Sequence, residues 1–199
     1  MGCTIINMKQ LFLFFFIACA VTSKAQTTVT VKWSPYIPPA TGDTMYYNKS
    51  QKLTWKDFKG KPDLSGDALA ITSSGFGYTA GASNRDGKAY ISINVYCYFS
   101  KQKSWVIKGK ESDYALNHEQ HHFDVTWIVA NTFFKKLKAA KFTWNNYNQL
   151  LDEIYQQSME QLENMQNAYD GETRNGRLQN IQLKWNTKIE DMLKGITIN

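Results

Sequence analysis

Beyond its first 25 residues this chain has a single cysteine, Cys97, and no apolar run long enough to cross a bilayer. One thiol excludes an intrachain disulfide, so stability must come from a packed core. Lysine and arginine are interspersed with acids and form no stripe interleaved with aromatics, which gives nucleic-acid binding no support. Internal repeats and low-complexity segments are lacking as well. The 199 residues have the apolar content of a globular protein and fit one domain of ordinary size. Histidine is scarcest in distribution: all three lie between positions 118 and 122.

The N-terminus reads as a targeting segment. Lys9 is the only charge before LFLFFFIACAV, an apolar run too short for a membrane span, and Ser23-Lys24-Ala25 offers small residues for cleavage before Gln26. Residues 1–25 are therefore expected to be a signal peptide, with Met8 an alternative start, and 26–199 the exported domain, periplasmic or extracellular. A rival reading makes Cys19 a lipidated N-terminus, and Phe16 at the third position before it fits that poorly. Removing Lys9 and Lys24 takes the formal net charge from +6 to +4. No transmembrane segment is expected in the mature chain.

Two halves follow with different periods. In 26–110, Val29, Val31 and Trp33 alternate with threonine and lysine before a loop bearing Pro35, Pro38 and Pro39. AYISINVYCYFS at 89–100 is the clearest strand, with Ala89, Ile91, Ile93, Val95, Cys97 and Phe99 on one face. Cys97 should thus point into the core. Asn84-Arg85-Asp86-Gly87 reads as a hairpin turn whose first strand falls within 68–80. After Gly109 the period becomes helical: one helix from Ser112 or Asp113 to about Lys141, a second from Thr143–Asn146, a third from about Arg177 to Leu193. Tyr147, Leu151, Ile154, Ser158, Leu162, Met165 and Tyr169 form a stripe at spacings of three and four. The expected fold is α+β: a mostly antiparallel N-terminal sheet, then the histidine-bearing helix and two more.

LNHEQHHFDVTW at 116–127 carries the chemistry. His118, Glu119 and His122 spell HExxH, by which one helix offers two imidazoles and a general base to a single zinc ion. On a helix His122 lies about 40° from His118, with Glu119 about 60° from His122 on the same side, while His121 falls on the opposite flank. The ligand pair is therefore His118 and His122, and Glu119 the candidate catalytic base. His121 is expected at the surface or behind the ligands. Asp124 either orients an imidazole or faces water. The alternative for the whole stretch is a solvated polar patch. A catalytic zinc normally takes three protein ligands, and no histidine remains for the third.

Three motifs in order, LTWKDFKGKPD at 53–63, LNHEQHHFD at 116–124 and YDGETRNG at 169–176, resemble a bacterial family of predicted secreted zinc-dependent proteases catalogued as domain of unknown function 922. The resemblance covers nearly all of the mature chain. It implies a zincin-like fold, Zn2+ and a peptide or protein substrate. The family's third motif usually reads like YDxxTxHG, and Asn175 stands here at the histidine; if that position supplies the third ligand, its amide oxygen is a weaker, neutral substitute. Extending the second helix brings acids to the core edge, with Asp170 the favoured third ligand and Glu172 the next. An end to that helix at Gly171 or Gly176 would alter this, and Asp170 could instead cap it or pair with Arg174 or Arg177. Trp55, Asp57 and Phe58 are expected to form a turn packed on the core, and Trp105 to pack there too. Against the peptidase stands a degenerate, non-catalytic relative acting as a cell-envelope binding module.

Overall fold

The computed structural model describes residues 27–34 and 42–196. The expected signal segment and the loop prolines Pro35, Pro38 and Pro39 lie outside them. Among the described residues six strands precede three helices: β1 (Thr27–Trp33), β2 (Thr44–Tyr46), β3 (Ala70–Ile71), β4 (Ser74–Arg85), β5 (Lys88–Ser100), β6 (Trp105–Val106), α1 (Asp113–Ala139), α2 (Tyr147–Thr173) and α3 (Gln179–Lys194). The fold is α+β, with the sheet N-terminal to the helices.

β5 is the spine of the main sheet. β4 pairs antiparallel along one edge, and the other edge is shared end to end by β1 and β2. β2 is antiparallel to β5, but β1 runs parallel, from Thr27 opposite Ala89 to Trp33 opposite Val95. The β4–β5 turn is Asp86-Gly87, both at positive φ (50° and 73°), the two-residue geometry that matches strand twist. The first strand of that hairpin is displaced from the expected 68–80 to 74–85. β3 and β6 form a separate two-stranded ribbon.

The odd-numbered residues of β5 from Ala89 to Phe99 are buried, Cys97 among them, and face α1. Trp33 meets Trp127 and Phe134 at 4.5 and 4.9 Å between ring centroids, and Phe76 meets Phe133 at 5.3 Å. On the outer face Tyr98 and Tyr96 lie across Gly75 and Gly77, where an added Cβ would come within 2.9 and 2.7 Å of the phenol oxygens.

Ser112 caps α1 by accepting from the Ala115 N–H at 3.1 Å. α1 is buried on nearly all sides because the sheet covers one face and α2 and α3 the other. The α2 stripe faces inward as its spacing requires: Leu151, Ile154, Ser158, Leu162 and Tyr169 are buried, and Tyr147 and Met165 half-buried against the core. No helix among the described residues is long and apolar enough to cross a membrane.

Candidate metal centre

His118 and His122 stand one turn apart on α1, facing α2. The last turn of α2 runs through Gly171 without a break and brings Asp170 between them. Asp170 Oδ1 is 3.2 Å from His118 Nε2 and 3.0 Å from His122 Nε2, and the two Nε2 atoms are 3.2 Å apart. A tetrahedral zinc with bonds of about 2.0–2.1 Å holds its ligand atoms about 3.3–3.4 Å apart. The triangle is close to one face of such a tetrahedron. His118, His122 and Asp170 form a group that could hold a metal ion.

The electrostatics point the same way. Asp170 sits at the carbonyl end of a 27-residue helix with no basic residue in its last turn, where a carboxylate is disfavoured unless a cation is near. Burial raises its pKa, but hydrogen-bonding and charge interactions with His118 and His122 outweigh that and hold it well below the usual carboxylate range. With both Nε2 atoms bare, Oδ1 is buried without any hydrogen bond. For His122, burial lowers the pKa, while Asp170, Glu119 and Gln166 together raise it above the ordinary value. These three atoms could hold a cation, either a proton or a metal.

His118, His122, Asp170 and Glu119 all line one cleft of about 810 Å³. Glu119 is buried, and its Oε2 has no hydrogen-bond partner. Residues 67–74 form the facing wall. Leu69 O accepts from Ile107 N at 2.8 Å and Ile71 lies opposite Trp105, so strand alternation aims the backbone groups of Ala70 and Thr72 away from β6, at the cleft. Beyond α2, Arg174, Asn175 and Gly176 all have positive φ (50°, 53° and 75°). An added Cβ on Gly176 would come within 3.2 Å of His118 Nδ1, so the closing glycine of YDGETRNG is favoured both by its backbone and by the imidazole beneath it.

The other sequence candidates are placed elsewhere. Glu172 turns away and accepts from Trp185 Nε1 at 2.8 Å. Asn175 lines the cleft but is not one of the three donors. His121 is buried rather than at the surface, with Nδ1 3.2 Å from Asp124 Oδ2. Asp124 therefore holds a non-ligand imidazole. It also accepts from Tyr47 Oη at 2.8 Å and Gln120 Nε2 at 3.0 Å, with Lys52 Nζ at 3.7 Å. In the first motif Trp55–Asp57 is a 3-10 turn, Phe58 is buried against Phe99, and Leu53 N donates to Gln120 Oε1 at 2.8 Å. That motif buttresses α1 at Gln120, two residues from both His118 and His122. Trp105 is buried.

Sequence reasoning missed two glutamines. Gln182 Oε1 is 2.9 Å from His118 Nδ1, and Gln166 Oε1 is 2.5 Å from His122 Nδ1. Gln166 lies one helical turn before Asp170, a spacing that could have revealed it; Gln182 on α3 carries no such signal. No family model, no curated protein and no solved structure matches the chain.

Proposed function

We propose that the chain is an exported zinc-dependent peptidase of zincin-like arrangement, with His118, His122 and Asp170 as zinc ligands and Glu119 as general base. One observation carries this reading: two imidazole nitrogens and a carboxylate oxygen converge at 3.0–3.2 Å beside a buried, unpartnered glutamate oxygen in a cleft. Three protein ligands with a fourth side open is the donor set of catalytic rather than structural zinc. When bound, zinc supplies Lewis acidity toward water and toward a carbonyl oxygen.

The remaining work falls to the chain's own groups. Glu119 takes the proton of the attacking water and returns it to the departing amine. The free edge of β3 holds a peptide in extended form through backbone hydrogen bonds. Resemblance to the secreted protease family through the three motifs, and the signal-like N-terminus, support the same reading and an extracytoplasmic location. Asn175 favours the second reading, a binding module. Its replacement of the family's histidine leaves the three donor atoms untouched, and Glu119 has no purpose in a pure scaffold.

Glu119→Gln keeps the shape and removes the base. The variant should retain about one zinc per chain and cleave a broad peptide library about 100- to 10,000-fold more slowly than the zinc-loaded parent. Equal cleavage removes Glu119 from the role. A zinc-replete parent that cleaves nothing moves the assignment to the binding module.

A further inference from the structure

We propose that Gln166 and Gln182 are positioning residues that lock both ligand imidazoles in the Nδ1–H tautomer, which turns both Nε2 lone pairs toward Asp170. The proposal deepens the metal reading above and rests on it. A neutral imidazole carries one N–H, and which nitrogen bears it depends on what faces the other. Each ligand histidine has a glutamine amide against Nδ1, so the question is which end of the amide points there.

For Gln166 the neighbours answer it. Gln166 Nε2 lies 2.9 Å from the His122 carbonyl, which can only accept, and 3.1 Å from Thr126 Oγ1. The amide nitrogen is thereby committed, and Oε1 faces His122 Nδ1. An amide oxygen has no hydrogen to give, so Nδ1 must donate. Gln182 is fully buried; its Nε2 donates to Asn186 Oδ1 at 2.7 Å and to Tyr169 Oη, leaving Oε1 for His118 Nδ1. Tyr169 donates onward to the His118 carbonyl and stacks on the His118 ring at 4.7 Å and 23°. One glutamine from α2 and one from α3 thus impose the same tautomer on two imidazoles of α1.

The choice of amide over carboxylate has a consequence. Metal-bound histidines commonly donate to carboxylates, carbonyls or water. Two carboxylates behind the rings would add negative charge to a centre that already holds Asp170 and Glu119. Glutamine fixes the tautomer and adds none.

Long-range proton–nitrogen NMR of the metal-free parent, above the imidazole titration range, reads the tautomer directly. His118 and His122 should both show protonated Nδ1 and bare Nε2. In zinc titrations Gln166→Met and Gln182→Met should each bind about 10- to 100-fold more weakly than the parent, and Gln166→Glu and Gln182→Glu, which keep the acceptor, should recover most of that loss. Nε2–H signals in the parent overturn the proposal, as do methionine variants that bind zinc as tightly as the parent. If a methionine variant fails to fold, the parent's spectrum decides. A parent that shows the Nδ1–H pattern but binds no zinc overturns the metal reading and supports the tautomer lock.

Discussion

Asp124 shows what a buried charge does two residues from the candidate ligand His122. Its carboxylate is completely enclosed, yet accepts from Tyr47, Gln120 and His121 with Lys52 nearby. Burial alone would raise its pKa, but the His121 hydrogen bond, the Lys52 charge and the Tyr47 hydroxyl outweigh that and lower it. A carboxylate with a depressed folded-state pKa adds stability above its unfolded value of about 3.9, and that stability is lost as pH falls through the folded value. Asp124→Asn should therefore be destabilised by about 3–5 kcal/mol at pH 7, the cost of breaking a buried charged network. Urea unfolding at pH 7 and pH 3 should find the gap to the parent narrower at the lower pH. A gap that widens on acidification refutes the assignment. His121 could not be placed from sequence because angular position on a helix says nothing of what packs outside it. α1 is enclosed on both sides, so even its off-site flank is interior.

α3 is the element whose role was least visible beforehand. Its existence was legible in the run from Arg177 to Leu193, and α1 and α2 were legible in their caps and stripe. β5 was legible because its alternation answers to one buried face. Less so were pairings that depend on distant chain: β1 lies parallel to β5 some sixty residues away, and β3–β6 is too short to show a period. Gln182 belongs to the same class, a polar residue that gains meaning only when α3 docks. If α3 holds the site, loosening its packing should reach the metal. Ile189 and Ile93 are both almost wholly buried, one on α3 and one on β5. Each cut to alanine should cost about 2–5 kcal/mol in urea unfolding. Among the folded variants, only Ile189→Ala should also weaken zinc binding. Equal weakening by Ile93→Ala would make the effect general softening rather than a property of α3.

For the whole molecule, the candidate metal group brings together segments that no disulfide joins. Cys97 is buried and unpaired, so no disulfide braces the described domain. The donors come from the first turns of α1 and the last turn of α2, about fifty residues apart, and Gln182 adds α3. A ligand that binds only the folded chain stabilises it by about 2.7 kcal/mol at a hundredfold excess over Kd. For a domain of this size that is roughly 5–10 °C in Tm. Zinc should therefore raise the melting temperature of the parent by that amount, and a chelator should reverse it. The identity of the third ligand decides which variants lose the shift. Asp170→Ala removes the oxygen between the two imidazoles and should abolish it. That change also removes a carboxylate that the two imidazoles favour in the folded chain, so its metal-free melting point should fall as well. Glu172→Ala breaks the bond from Trp185 and should lower the metal-free melting point, yet leave the zinc shift whole. Both variants thus lower the baseline but only Asp170→Ala loses the increment, and differential scanning calorimetry with and without zinc separates them. Loss of the increment in Glu172→Ala with its survival in Asp170→Ala would move the third ligand to Glu172.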